Sequence, residues 1–76
     1  MRELPKENEV WIHFKKNKYQ IVTIAEHTET GEQFVIYKAL ADTKKTYARP
    51  VKMFMGEVDH EKYPYAEQKY RFEKLG

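Results

Sequence analysis

Cysteine and serine are both missing from this sequence. Without cysteine there can be no disulfide framework, no thiolate metal site and no cysteine nucleophile, and without serine no serine triad. The lack of cysteine fits a reducing compartment, and a cytoplasmic location is expected. No apolar run approaches the roughly 20 residues that a membrane-spanning helix needs. The opening Met1-Arg2-Glu3-Leu4-Pro5 also lacks the apolar centre of a secretory signal, so no membrane association is expected. Nor is there an excess of charge: 14 Lys and Arg against 12 Asp and Glu leave +2, too even to imply nucleic acid from net charge alone.

What is present points to a small β domain. A chain of 76 residues makes one domain, and one of that size buries only roughly 60% of its unfolded surface. A second copy would add burial, so a monomer or a weak homodimer is expected. Eleven aromatics (one Trp, six Tyr, four Phe) separate the chain from disordered sequences, which are poor in them.

The most informative stretch reads as a hairpin. Tyr19-Gln20-Ile21-Val22-Thr23-Ile24-Ala25 and Phe34-Val35-Ile36-Tyr37-Lys38-Ala39-Leu40 are rich in β-branched and aromatic residues, and Thr28-Glu29-Thr30-Gly31 reverses the chain between them. Ahead of it, residues 1–8 mix charge and proline and read as a flexible lead-in. Glu9 to Phe14 reads as a first strand. A two-residue turn at Lys16-Asn17, with Asn17 taking the left-handed conformation, would place Phe14 opposite Tyr19 and Ile12 opposite Ile21. Trp11 and His13 would then share the other face with Val22 and Gln20. The hairpin itself is apolar on both faces. One carries Tyr19, Ile21, Ala25, Phe34, Ile36 and Leu40, and the other Val22, Ile24, Val35, Tyr37 and Ala39. An antiparallel sheet with one wet side should alternate more cleanly.

Further on, Thr46 to Arg49 reads as a fourth strand and Pro50 to Met55 as a single helical turn ended by Gly56. Tyr63-Pro64-Tyr65 reads as extended chain and Lys69 to Lys74 as a closing strand. The expected fold is mainly β: a small SH3-like barrel, an antiparallel meander of about five strands with one short helical turn, spanning residues 9–76 as a single domain. An open sheet capped by the helical turn is the alternative.

Trp-Ile-His-Phe-Lys at 11–15, Tyr19, Ala25-x-His-Thr-Glu-Thr-Gly-Glu at 25–32, Val-Ile-Tyr at 35–37, Arg49-Pro50, Phe54 and Arg71-Phe72 stand in an order that resembles the small bacterial family catalogued as domain of unknown function 1653. The resemblance spans roughly residues 10–73. It implies a short bacterial protein with a barrel-like β fold, and lends no activity. Two positions depart from the family pattern: Lys16 stands where glycine is usual after the lysine of the first turn, and Tyr47 where tryptophan is frequent before the Arg-Pro.

No catalytic constellation emerges. His13, His27 and His60 have no metal-ligand spacing, and no metal or other cofactor is expected. Glu26, Glu29 and Glu32 gather at a solvated turn, where nothing raises a carboxyl pKa for acid–base work. An enzyme is therefore not expected. Two surfaces could bind a partner. Trp11, His13, Tyr37, Tyr47 and Arg49 would line one aromatic face, with His27 as a further candidate, suited to a protein or peptide. Lys15, Lys16, Lys18, Lys44 and Lys45 would form a rim at one end of the meander, suited to nucleic-acid phosphates. Each has a plainer reading: the aromatics as core, His27 bonded to its own loop, and the lysines as solubilising turn residues. The leading expectation is a non-enzymatic module for a protein or peptide, and the alternative is nucleic-acid binding through the lysine rim.

Overall fold

The computed structural model describes residues 2–75. Five strands, β1 (Val10–His13), β2 (Lys18–Glu26), β3 (Gln33–Ala39), β4 (Thr46–Pro50) and β5 (Phe72–Lys74), form one antiparallel sheet in the order β4-β3-β2-β1-β5. One helical turn, α1 (Val51–Phe54), lies between β4 and β5. The sheet is open, with β4 and β5 as its two edges, so the protein is mainly β without the ring of strand pairing that closes a barrel. The sheet is nevertheless strongly curled. Arg49 on β4 comes within 5.5 Å of the Phe72 ring on β5, although three strands lie between them in the sheet.

Two local features set which side chains face inward, and both correct the sequence-based registers. The first turn is longer than two residues. His13 N–H donates to Asn17 O and Lys16 N–H to His13 O, which leaves Phe14, Lys15 and Lys16 in the loop. The left-handed residue is Lys16, at φ 78°, rather than Asn17. The pairing becomes Trp11 with Tyr19 and Ile12 with Lys18. This is a slip by an odd number of residues, and in a structure of period two such a slip exchanges the faces. Trp11 and His13 thus lie with Tyr19 and Ile21, not with Val22 and Gln20.

The second feature is a bulge in β2. Tyr37 pairs with Ile21 but Ile36 pairs with Thr23, so Val22 is the extra residue. Past the bulge, Ile24 takes the inward side with Val35, which explains why the hairpin looked apolar on both faces. The same bulge increases the local twist, consistent with the curl.

The inner face builds the core. Trp11, Ile21, Val35, Tyr37 and Phe72 are buried against Phe54 of α1, with Tyr19, Val51 and Met55 packed around them. Phe54 stacks on Phe72 with centroids 4.1 Å apart and planes at 9°, while Tyr37 meets both rings edge-on. Offset and edge-to-face pairs of this kind add to the burial of apolar area itself. Arg2 is held against this core, its Nη1 donating to Phe72 O at 2.9 Å and its Nη2 to Met55 O at 2.8 Å. The Tyr63-Pro64-Tyr65 stretch, expected to be extended, instead turns: Ala66 N–H donates to Tyr63 O, and proline's fixed φ suits the second turn position. The closing strand is shorter than the sequence indicated, with Tyr70 contributing only an isolated bridge to Glu57.

Lys16 holds a backbone conformation that suits glycine better. A side-chain-bearing residue in the left-handed region costs about 1 kcal/mol relative to glycine. Its exposed 3.5 Å contact with Glu67 returns little of that. Lys16→Gly is expected to raise unfolding stability by about 1 kcal/mol in urea titrations.

Candidate functional site

Where the curled sheet brings β4 toward the β1–β5 end, a cleft of about 360 Å³ opens. It is lined by His13 at the end of β1, Phe14 and Lys15 from the turn that follows, and Arg49 from β4. Asp59, Lys62 and Tyr63 come from the loop after α1, and Arg71 from just before β5. The backbone fixes these positions. Phe14 N–H donates to Arg71 O at 2.9 Å, tying the first turn to the β5 approach, and Tyr63 N–H donates to Asp59 O at 2.8 Å, closing the loop. Phe14 and Tyr63 pack ring to ring at 4.9 Å and make the apolar wall.

The charge in this cleft is one-sided. Lys15, Arg49, Lys62 and Arg71 against Asp59 leave +3, from four minus one, in a chain whose total is +2. Among the described residues none of these four cations has a carboxylate within 4 Å. Arg49 Nε donates to Tyr37 Oη at 3.1 Å, which fixes the guanidinium beside Phe72. That is its hydrogen bond among the described residues, and its two Nη groups remain unspent. Lys15 and Lys62 set their ammonium groups 5.3 and 5.4 Å from the centre of the Tyr63 ring. Asp59 is already engaged, its Oδ1 accepting from the backbone N–H groups of Glu61 and Lys62.

His13 sits at the back of the cleft. Burial first, then the positive charges of Arg49, Lys15 and Arg71, push its pKa down to about 4, so the ring is neutral at neutral pH. Its Nδ1 accepts the Lys15 backbone N–H at 3.1 Å, which leaves the proton of the neutral ring on Nε2. Arg71 Nη1 donates to Met53 O at 3.4 Å, which leaves its Nη2 and Nε for a ligand. The cleft therefore offers four cations without a carboxylate partner and a neutral N–H donor, and it suits an anion.

A larger hollow of about 490 Å³ lies toward the start of β1, around Arg2, Leu4, Trp11 and Tyr70. Its polar groups are already paired. Glu9 binds Lys74 at 3.2 Å and accepts from Trp11 Nε1 and Lys6 N–H, while Arg2 is spent on two carbonyls. Little is left there to recognise a ligand.

The residues singled out from sequence divide clearly. His13 and Arg49 line the cleft; Tyr37 holds Arg49 but is itself core, 4% exposed, and Trp11 is 3% exposed beneath Phe54. Neither of these two aromatics offers an open face. Tyr47 lies beside Tyr37 at 5.6 Å and is exposed, but it does not line the cleft. His27 follows β2 at the turn into β3 and does not line the cleft, with its Nδ1 accepting N–H groups of its own turn. The five lysines of the expected rim take different places at that end of the sheet, where Lys16 and Lys18 border a hollow shared with Ala39, Leu40 and Ala41. Lys15 enters the cleft, Lys16 pairs with Glu67, and Lys18 pairs with Ile12 on the sheet's outer side, while Lys44 and Lys45 sit on the β3–β4 turn. Lys62, Tyr63 and Arg71 escaped the sequence reading. Arg71-Phe72 stood among the family-like motifs, and that was the available signal.

Among the described residues no three His, Cys, Asp or Glu side chains converge on a metal-sized site, and no helix is long and apolar enough to cross a membrane. Fold and cleft together define a small all-β domain, an open antiparallel sheet capped by one helical turn, with a cationic recess at one end. The chain belongs to the family described as "Protein of unknown function (DUF1653)", whose sequence model matches residues 9–74. No curated protein and no solved structure matches it.

Proposed function

We propose that the protein is a non-enzymatic binding module that recognises an acidic segment of a protein partner through the cleft of His13, Lys15, Arg49, Lys62 and Arg71. The observation that carries this reading is the set of four cations without carboxylate partners around an aromatic wall. Holding like charges together without a counter-ion is unfavourable, and an incoming carboxylate relieves it with charge-assisted hydrogen bonds. Arg49, held by Tyr37, is preorganised for a two-pronged contact. The Phe14 and Tyr63 rings provide an apolar surface for a neighbouring side chain.

Fluorescence anisotropy of a labelled Glu-rich peptide tests the reading. Arg49→Ala or Arg71→Ala is expected to weaken binding about tenfold or more, Lys45→Ala to change it little, and added salt to weaken it. Binding unchanged in Arg49→Ala and Arg71→Ala would remove the cleft from recognition. Nucleic acid is the lesser reading, because of the five lysines that supported it one, Lys15, lines the cleft, and Lys16 is already paired with Glu67. Tighter binding of single-stranded DNA than of the peptide, weakened by Lys44→Ala and Lys45→Ala, would reverse that order.

A further inference from the structure

Resting on the same cleft, we propose that the group it takes is a doubly charged phosphoryl group carried on a side chain of the partner peptide. The charge count favours it. A single carboxylate satisfies one guanidinium fork and would leave an excess of +2 from the +3 present. A phosphoryl ester carries about −1.5 to −2 at pH 7 and presents three acceptor oxygens. The donors match that demand in number and in direction of approach. Arg49 comes from β4, Arg71 from the β5 approach, Lys15 from the first turn and Lys62 from the loop after α1. These four segments border one recess. The neutral His13 ring, with its proton on Nε2, adds a donor that brings no further repulsion while the cleft is empty.

The wall completes the match. Phe14 and Tyr63 lie ring to ring, with the Lys15 and Lys62 ammonium groups beside Tyr63. An aromatic or aliphatic stem can therefore lie on the wall while its phosphoryl end meets the cations. A volume of about 360 Å³ accommodates a group of that size. The charged groups facing His13 are Lys15 on its own turn, Arg49, Arg71, Lys62 and Asp59. A dianion among them offsets the positive field that, together with burial, holds the ring neutral, so ligand binding and proton uptake at His13 are linked.

Phenyl phosphate, phenylacetate and inorganic phosphate, each titrated into the isotopically labelled full chain at neutral pH and followed by NMR, test this directly. Phenyl phosphate is expected to bind about tenfold or more tightly than phenylacetate, with shifts confined to the cleft. It is also expected to move the His13 ring titration upward by one pH unit or more. Lys15→Glu and Lys62→Glu alter exposed side chains, so the fold is retained, and each is expected to abolish the preference; Lys45→Glu is expected to leave it intact. Equal affinity for phenyl phosphate and phenylacetate overturns the phosphoryl assignment, as does an unmoved His13 titration. Equal affinity for inorganic phosphate overturns the peptide-borne source. If phenyl phosphate fails while the Glu-rich peptide still binds at the cleft, the phosphoryl assignment falls and the acidic-segment reading stands; if both fail, both fall.

Discussion

Phe54→Ala is expected to cost about 3–5 kcal/mol of stability, enough to unfold a large fraction of the protein at 25 °C. A domain of this length has roughly 4–11 kcal/mol in all at typical values per residue, and a small chain belongs in the lower part of that range. Phe54 is fully buried, stacked on Phe72, and 5.4–5.5 Å from the rings of Tyr37 and Trp11. Its removal loses the transfer of one large aromatic side chain and leaves a cavity lined by flat rings, which cannot readily collapse into it. The effect reaches β5, because Phe72 belongs to a strand of only three residues and Phe54 is its stacking partner. Urea unfolding followed by Trp11 fluorescence checks this. Phe54→Leu, closer in volume, is expected to lose less than half as much. A loss below about 1 kcal/mol for Phe54→Ala would mean that α1 does not cap the core.

Acid is expected to destabilise the protein in a window set by His13. Its folded pKa, about 4, lies below the ordinary value of 6.5, so between those values the unfolded chain binds more protons than the folded one. Lowering the pH then favours unfolding. The neutral ring's contribution is fully present above pH 6.5 and is lost as the pH falls toward 4. Full conversion of the shift gives about 3 kcal/mol, and partial solvent access reduces it to about 2–3 kcal/mol. Glu9 is also lowered, chiefly by the Lys6 backbone N–H, but its ordinary value is 4.5 and its contribution is lost only below that. The slope between pH 6.5 and 4.5 therefore reports His13. Stability against urea measured across this window should fall in the native protein and fall much less in His13→Asn. Parallel profiles for the two would place the sensitivity elsewhere.

The sequence pattern carried the elements further than it carried their faces. β-branched and aromatic runs marked β2 and β3 to within a residue at each end, and Pro50 and Gly56 bracketed the helical turn. Faces depend on parity, and a single residue changes parity. Val22 as a bulge and Lys16 in a left-handed loop are both invisible to an alternation of apolar and polar residues, since neither is a turn-type residue. That is why Trp11 and Tyr37, read as a docking surface, prove to be core. The open sheet instead of the expected closed barrel has a related cause. Closure requires β4 to meet β5, and β5, with three residues paired to β1, leaves its other edge without a partner. The cleft was half visible. Arg49 and His13 were in view, but Lys62, Tyr63 and Arg71 join them through packing between residues some 13 to 58 positions apart (62 − 49 and 71 − 13), which no local pattern encodes.

The most direct measurement is an amide shift map of the labelled full chain with the Glu-rich peptide, at low salt and neutral pH. Shifts are expected to gather at Phe14, Lys15, Arg49, Lys62, Tyr63 and Arg71, to fade as salt is added, and to leave the turns at His27 and Lys44 unmoved. Shifts centred on Lys44 and Lys45, or none at concentrations where a control basic peptide also gives none, would contradict recognition through the cleft.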